Sequence, residues 1–178
     1  HAYHRRQRQM CIRDSYYTRF EKEKQYPIYC RKKNLKSKEE VLIDVNIFSK
    51  GFEYYRVGSI DISPDNKIMA YSYDTLSRRL YTIKFINLET GKEIGKSITN
   101  TSGGVSWAND NKTVFYDKKN IETLRNEKVF NFNLYNGQAQ QVFFEEDETF
   151  NLNSYKTKSG KYIVTVSYTH LTLPTMIR

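Results

Sequence analysis

The sequence predicts an all-β fold: a partial β-propeller of about two to three blades of four-stranded antiparallel sheet, preceded by a β-hairpin lead-in. Composition is the first reason, because 15 Tyr and 10 Phe stand against one Trp and three Pro, and flat aromatic rings pack well on half-buried strands. The second reason is a repeat, in which a polar turn is followed by Lys and a short apolar strand. The lysines of the three copies, Lys67, Lys112 and Lys161, are 45 and 49 residues apart, and a four-stranded blade occupies about 40–50 residues.

The lead-in is expected at residues 16–50, which do not share the repeat. The aromatic stretches 16–20 and 26–30 predict the two strands of a hairpin. A charged loop then leads to an apolar strand at 41–46. The one helix that the sequence favours is a short turn near 45–50.

The first repeat predicts three strands and the beginning of a fourth. Residues 56–62 precede its polar turn, residues 68–72 follow it, and residues 80–88 form the third strand. The turn contains Asp and Asn, which bond to their own backbone and tolerate left-handed geometry, as a tight hairpin requires. A further turn signal at 89–92 ends the third strand, and the apolar positions at 94–98 begin the return.

The second repeat predicts the same arrangement. Residues 104–107 precede the turn, residues 113–116 follow it, and residues 128–134 form a cleanly alternating strand. Asn-Gly at 136–137 is a typical hairpin turn. Residues 142–144 are then expected to begin the next blade.

The third repeat begins but does not finish. Its turn at 158–161 contains Gly160, which adopts left-handed geometry without a Cβ, and a strand is expected at 162–165. A propeller closes as a ring of roughly four to eight blades, and an open part of one leaves sheet edges uncovered. The sequence therefore predicts that the native protein is longer.

The two ends differ in character from the sequence between them. Residues 1–15 and 166–178 contain short strings that resemble translated sequencing-adaptor DNA, and such scars are excluded from fold reasoning. The expected organisation is a non-native segment at 1–15, the lead-in hairpin and loop at 16–50, a partial propeller at 51–165 and a non-native segment at 166–178. All three histidines and one of the two cysteines fall in the suspect ends: His1, His4, His170 and Cys11.

The charge distribution argues against a nucleic-acid binder. The two ends carry four of the nine net positive charges, which leaves 24 basic and 19 acidic residues at 16–165. The densest basic run, 31–38, is closed by Glu39 and Glu40 and predicts a solvated loop rather than a basic face. No apolar run reaches the roughly 18 residues of a membrane span, and two cysteines fit a reducing compartment. We expect no nucleic-acid partner, no membrane partner and a cytoplasmic location, with the periplasm as the alternative.

The sequence predicts no catalytic site, no metal site and no cofactor in this chain, and it assigns no substrate-binding residue. Nucleophilic catalysis needs a nucleophile, a base and an orienting group, yet no G-x-S-x-G occurs and residues 16–165 contain no His. Ser59 and Ser102 are therefore expected to be turn or strand-edge residues. Cys30 is expected to be a packed strand residue rather than a reactive thiol. Residues 65–67 lack the spaced oxygen ligands of a calcium loop.

Other motifs have a structural and a functional interpretation. The acidic run 145–148 is either a solvated loop or an attractor of cationic peptides. Gly103-Gly104 is too short for a phosphate cradle. The tripeptides 100–102 and 111–113 match the N-glycosylation sequon, which is common by chance, and Trp107 predicts an anchor of the blade core.

Several segments resemble one peptidase family. They are YYTRFEK at 16–22, QYPIYCR at 25–31, EVLIDVN at 40–46, SPDN at 63–66, NLETG at 87–91, NTS at 100–102 and WANDNKT at 107–113. In this order they are similar to the N-terminal region of oligopeptidase B-like serine peptidases of the prolyl oligopeptidase family. The likeness is specific in the lead-in and weaker in the turns, which many propellers share.

The resemblance implies a seven-bladed propeller capping an α/β-hydrolase domain. In that family the hydrolase domain cleaves short peptides, the oligopeptidase B type prefers the bond after Arg or Lys, and the propeller acts as a size filter. The Ser, Asp and His of the triad lie in the hydrolase domain, so this chain alone is expected to be inactive. The expected partners are that missing C-terminal domain and short basic peptides. The alternative is a stand-alone propeller that binds proteins.

Overall fold

The structure is a computed structural model that describes residues 14–34 and 36–169, and strands dominate it. Thirteen strands and one four-residue helix lie in these two ranges, which confirms the predicted all-β class. The chain divides into two compact units, His1–Lys50 and Gly51–Arg178. The three histidines, Cys11 and most of the two adaptor-like segments lie outside the described residues.

A three-stranded antiparallel sheet forms the first unit. Strands β1 (Ser15–Arg19) and β2 (Ile28–Lys32) make the predicted hairpin, and β3 (Glu40–Asp44) pairs with the other side of β2. Helix α1 (Val45–Phe48) follows directly, as the sequence predicts. It begins there because the Asp44 carboxylate accepts a backbone N–H of the first turn at 3.0 Å.

Four antiparallel strands form the first blade, in the second unit. Strands β4 (Arg56–Ile62), β5 (Ile68–Asp74), β6 (Tyr81–Asn87) and β7 (Glu93–Thr101) lie side by side in sequence order. Their positions confirm the strands predicted from the first repeat. Alternate side chains of a strand point to opposite faces, and the first, third and fifth side chains of β6 are buried.

The second blade also consists of four antiparallel strands. It consists of β8 (Ser106–Trp107), β9 (Thr113–Lys119), β10 (Asn126–Asn133) and β11 (Ala139–Phe144). The prediction that residues 142–144 begin the next blade is wrong. They belong to β11, which pairs with β10 and completes the second blade, because the turn between these strands closes a hairpin.

A third blade begins with β12 (Asn151–Lys156) and β13 (Ile163–Tyr168), which pair antiparallel. Strand β13 follows the third polar turn, as predicted, and it continues through residues 166–168. Strand β12 is absent from the sequence prediction, since only one of its six side chains, Leu152, is buried. The described chain thus contains two complete blades and the beginning of a third.

The three repeated turns have the same geometry. Asn66, Asn111 and Gly160 have φ values of 58°, 58° and 69°, in the left-handed region that Asn tolerates and Gly adopts freely. Each turn is closed by a hydrogen bond from the N–H before it to the carbonyl after it: Ser63 to Ile68 at 2.8 Å, Ala108 to Thr113 at 2.9 Å and Thr157 to Tyr162 at 2.9 Å. The repeat in the sequence is therefore a repeat of one hairpin.

One hydrophobic core joins the two complete blades. It contains ten buried side chains from both of them: Ile68, Ala70, Ile83, Phe85, Ile98, Trp107, Val114, Tyr116, Phe132 and Leu134. The Phe85 ring stacks on Phe132 with centroids 6.0 Å apart and meets Trp107 edge-on at 6.2 Å. Trp107 is thus the core anchor that the sequence predicts.

Two adjacent glycines between the blades offer a matched test of backbone packing. Gly103 has a φ of +103°, and a Cβ there would lie 3.0 Å from the Tyr81 ring, whereas a Cβ on Gly104 would meet no heavy atom within 4 Å. We expect Gly103→Ala to lower the free energy of unfolding by about 2 kcal/mol. Gly104→Ala should change it by less than about 0.5 kcal/mol. Urea unfolding measures both, and equal effects would contradict the close approach at Gly103.

Candidate functional site

A cavity of about 600 Å³ lies between strands of the two complete blades and the beginning of the third, and it is the candidate site. Strand β4 contributes Asp61 to its wall, β8 contributes Trp107, β9 contributes Tyr116 and Asp117, and β12 contributes residues 153–156. The volume is within the range of ordinary small-molecule pockets, about 300–1,000 Å³. All of these residues belong to the second unit, so the site needs no part of the lead-in.

The Asp61 carboxylate is held in the wall by two donors. Its Oδ2 accepts the Ser59 hydroxyl at 2.7 Å and the Val105 N–H at 3.4 Å. The backbone oxygen of Asp61 accepts the Trp107 indole N–H at 3.2 Å. Burial raises the pKa of this carboxyl, although the Ser59 and Val105 hydrogen bonds act in the opposite direction. Asp61 therefore links the first blade to the start of the second.

The Asp117 carboxylate has an equivalent position between the second and third blades. Only 4% of the residue is exposed, and its Oδ2 accepts the Ser154 N–H of β12 at 3.1 Å. Its Oδ1 is shielded from solvent and accepts no hydrogen bond from any described residue. Burial raises the pKa of this carboxyl too, against the lowering effect of the hydrogen bonds from Ser154.

Two tyrosines and one lysine also line the wall of the cavity. Tyr116 stacks on Phe130 with centroids 5.7 Å apart, and burial raises its pKa to about 12. Tyr155 is 46% exposed. The Lys156 ammonium donates to Asn109 Oδ1 at 2.7 Å. The charged groups of the wall are thus two carboxyls and one ammonium.

The pH dependence of stability should report the two buried carboxyls. Because their pKa values are raised on folding, the folded chain binds protons more readily than the unfolded chain. Above the raised pKa values, both carboxyls are charged and buried, which destabilises the folded chain. This destabilisation is relieved as the pH falls through the folded pKa values toward the pKa of an unfolded Asp, about 3.9. We expect the Tm of Asp117→Asn, relative to wild type, to rise as the pH rises above the unfolded pKa of about 3.9.

The matched control for this experiment is Asp147→Asn. Thr149 lowers the pKa of the exposed Asp147 carboxyl through a side-chain and a backbone hydrogen bond, so this carboxylate contributes stability above its unfolded pKa that is lost as the pH falls. The Tm of Asp147→Asn, relative to wild type, should therefore fall as the pH rises toward the unfolded pKa of about 3.9 and stay level above it. If the Tm difference between Asp117→Asn and wild type does not depend on pH, the pKa of the Asp117 carboxyl is not raised by burial.

The three residues weighed as nucleophiles in the sequence, Ser59, Ser102 and Cys30, are held in hydrogen bonds of the fold. The Ser59 hydroxyl donates to Asp61, and Ser102 donates its backbone N–H to a backbone oxygen at 3.0 Å. Cys30 is fully buried, its Sγ donates to the Ile28 oxygen at 3.8 Å, and burial raises the pKa of the thiol, which disfavours the reactive thiolate. The expected absence of a catalytic site stays a prediction, because all three histidines lie outside the described residues.

The other sequence motifs lie in connections between strands. The acidic run 145–148 joins β11 to β12, and two of its backbone oxygens accept hydrogen bonds from Arg125. Asp65 accepts the Lys67 N–H at 3.1 Å and so closes its own turn. Residues 14–34 and 36–169 contain no group of three or more His, Cys, Asp or Glu side chains that could hold a metal ion. Within the same ranges, no helix has the length and apolar character needed to cross a membrane.

Sequence reasoning missed Asp61, Asp117 and Ser154 as site residues. A usable signal exists for the first two, because each is an acidic residue inside a predicted or extended apolar strand. Acidic side chains are rarely buried without partners. The site as a whole depends on β12, whose sequence is mostly polar, so the convergence of β12 with β4, β8 and β9 could not be predicted.

Comparisons with known proteins agree with this fold. Residues 7–175, which reach into both adaptor-like segments, match the family model described as prolyl oligopeptidase, N-terminal beta-propeller domain. Dipeptidyl aminopeptidase BI of Pseudoxanthomonas mexicana is 35% identical over 166 residues, which cover 83% of this chain and 23% of the relative. Protease 2 of Moraxella lacunata is 30% identical over 162 residues, which cover 85% of this chain and 23% of the relative.

Solved structures give the same result. Oligopeptidase B from Leishmania major superposes with a TM-score of 0.79 at 29% identity, over 86% of this chain and 22% of that chain. Oligopeptidase B from Trypanosoma brucei, in a closed form with covalently bound antipain, superposes with a TM-score of 0.78 at 25% identity, over 88% and 22%. The chain therefore spans less than a quarter of the length of these relatives.

Proposed function

The chain belongs to the prolyl oligopeptidase family, as part of its N-terminal β-propeller domain, and on this premise we propose that it is the propeller part of a serine-type oligopeptidase that hydrolyses peptides after Arg or Lys. The observation that carries the proposal is the match to the family model and to the oligopeptidase B fold over most of the chain. Relatives named as an aminopeptidase and a protease support the hydrolytic class.

The catalytic residues are proposed to lie outside this chain. A C-terminal α/β-hydrolase domain of the same polypeptide would supply the Ser, Asp and His, and this chain alone would be inactive. Its short span relative to the relatives supports this division. We place the parent enzyme in the cytoplasm, with the periplasm as the alternative, and assign it no cofactor, no nucleic-acid partner and no membrane partner.

The propeller is proposed to act as a size filter. Blades of a propeller surround a central channel, so a peptide that reaches an active site through that channel must be narrow and unfolded. The shared core of the two complete blades supports this role, because a passage that excludes folded proteins must resist widening.

The test of the proposed function is the longer coding sequence and its product. We expect the reading frame to continue past residue 165 through further blades into a G-x-S-x-G with a later Asp and His. The purified product should hydrolyse reporter peptides after Arg and Lys and spare matched peptides with Ala or Glu at that position. The 178-residue chain at the same concentration is the control and should release no reporter. A frame that stops after the blades supports a stand-alone binding propeller instead and overturns the peptidase assignment.

The size filter has its own test on the same enzyme. A short basic peptide and the same sequence in a rigid loop of a folded protein are offered at equal concentration. We expect cleavage of the free peptide only. Equal cleavage of both would leave the peptidase assignment intact and overturn the filter.

The domain boundaries are proposals that resequencing of the source DNA tests. We propose that residues 1–15 and 166–178 are not native, that residues 16–50 are the lead-in and that residues 51–165 are the partial propeller. Resequencing the source DNA across both ends should replace the adaptor-like strings. If the strings persist, the boundaries are wrong and the three histidines belong to the protein.

A further inference from the structure

The hairpin turn between β10 and β11 contains Asn136-Gly137, the one Asn-Gly dipeptide of the sequence. Asn136 is exposed, and the proposed function uses no residue of this turn. The Asn136 Oδ1 accepts the Gln138 N–H at 2.9 Å, and its Nδ2 donates to Gln138 Oε1 at 3.2 Å. The first of these bonds closes an Asx-turn, which folds the Asn136 amide over the peptide bond that it shares with Gly137.

The same side-chain bond occurs at four other asparagines, but a bulky residue follows each of them. Their Oδ1 atoms accept the N–H two residues further along at 2.9–3.0 Å: Asn34, Asn87, Asn120 and Asn133. The residues that follow them are Leu35, Leu88, Ile121 and Leu134. Gly137 has no Cβ to shield its backbone nitrogen, and a Cβ built there would meet only the Lys96 side chain within 4 Å. The residue that follows therefore sets Asn136 apart from the other four.

We propose that Asn136 is a deamidation site, at which the backbone nitrogen of Gly137 attacks the side-chain amide of Asn136. The new bond joins Gly137 N to Asn136 Cγ and closes a cyclic succinimide, while Nδ2 leaves as ammonia with the proton of the Gly137 N–H. Water then opens the ring. Cleavage of the bond from nitrogen to Cγ gives aspartate, and cleavage of the bond from nitrogen to the backbone carbonyl carbon gives isoaspartate, whose main chain runs through Cβ and Cγ.

Two features of the turn favour this reaction. The Gln138 N–H donates to the Asn136 oxygen on which negative charge develops during the attack, as the donor of an oxyanion hole does. The turn also lies near two lysines, since Lys112 lines the same shallow cavity as Asn136 and Lys96 lies beside Gly137. Their positive charges stabilise the deprotonated attacking nitrogen and the carboxylate of the product.

One hydrogen bond of the turn opposes the attack. The Gly137 N–H donates to the Asn133 oxygen at 3.0 Å, so its nitrogen reacts when this bond opens. All six residues of β11, the edge strand that follows the turn, are exposed, and such regions open locally at low free energy. Deamidation should therefore proceed in the folded chain, at a lower rate than in the unfolded chain.

The experiment incubates the 178-residue chain at neutral pH, folded in buffer and unfolded in guanidinium chloride, and follows each asparagine by tandem mass spectrometry of the digested chain. Conversion of an amide to an acid is read from the mass, and the aspartate and isoaspartate products are separated by chromatography. In the folded chain we expect Asn136 to react at least about tenfold faster than Asn34, Asn87, Asn120 and Asn133. Equal rates at these five asparagines in the folded chain would overturn the proposal.

Two variants assign the reaction to the glycine. Gly137→Ala should slow the reaction of Asn136 by about tenfold, because a methyl group shields the attacking nitrogen. Alanine is strained at the φ of +66°, so this variant is also measured in guanidinium chloride, where the strain has no effect.

The second variant, Ile121→Gly, leaves the 134–138 turn unchanged and places a glycine after Asn120, which has the same Asx-turn bond. Ile121 is 56% exposed, so its removal spares the core. We expect the reaction of Asn120 to accelerate by about tenfold, while Asn136 keeps its rate. If Asn120 stays as slow as in the wild type, or if Asn136 reacts equally fast in Gly137→Ala under both conditions, the proposal is wrong.

Discussion

Replacement of Phe85 by alanine is expected to lower the free energy of unfolding by about 3–5 kcal/mol. The side chain is 1% exposed, and its ring stacks on Phe132 and meets Trp107 edge-on. Phe85 belongs to the first blade and both partners belong to the second, so the substitution leaves a cavity where the two sheets share their core. The loss combines apolar burial with the aromatic contacts, which contribute about 0.5–1.5 kcal/mol per pair.

Urea unfolding monitored by Trp107 fluorescence measures this effect directly. The matched control is Phe143→Ala on β11, whose ring is 42% exposed, and we expect it to change stability by less than about 1 kcal/mol. If Phe85→Ala and Phe143→Ala have similar effects, the two blades do not share the core described above.

The strands of the first two blades could be predicted because sequence and packing agree there. In both repeats Asn occupies the left-handed position of the turn, and the strand that follows the turn has alternating or continuous buried side chains. These signals are local, so they can be recognised one hairpin at a time. The pairing of β11 with β10 is equally local. The sequence nevertheless assigns residues 142–144 to the next blade, because an apolar segment after a hairpin turn is also typical of a new blade.

The candidate site could not be predicted in the same way, because it depends on contacts between blades. Asp117 and Ser154 are 37 residues apart, and the Ser154 N–H donates to Asp117 Oδ2 at 3.1 Å. Strand β12 has one buried side chain, so neither periodicity nor apolar content indicates it. The contact of β12 with the second blade is partly polar: Asn126 donates its side-chain amide to the Leu152 oxygen at 3.0 Å. Such side-chain to backbone bonds leave no pattern in the sequence.

Arg125 is the second residue whose removal should have a large effect. Its guanidinium donates to the backbone oxygens of Glu145 at 3.2 Å, Asp147 at 3.1 Å and Phe150 at 3.0 Å, and 9% of its side chain is exposed. One buried cation thus organises the acidic connection that leads from β11 into β12. We expect Arg125→Met, which keeps the apolar stem, to lower the free energy of unfolding by about 3 kcal/mol.

The effect of Arg125→Met should be local before it is global, because the 145–150 connection loses its donor and the neighbouring Glu127 carboxylate, 3.6 Å from the guanidinium, loses an ion-pair partner. Hydrogen exchange should accelerate in this connection and in β12, while β5 and β6 keep their protection. The matched control is Arg78→Met, since Arg78 donates a long hydrogen bond to the Ile121 oxygen at 3.4 Å, and we expect a change of less than about 0.5 kcal/mol. If both arginine variants behave alike, the acidic connection is held by its own turns, and the position of Ser154 against Asp117 does not depend on the buried cation.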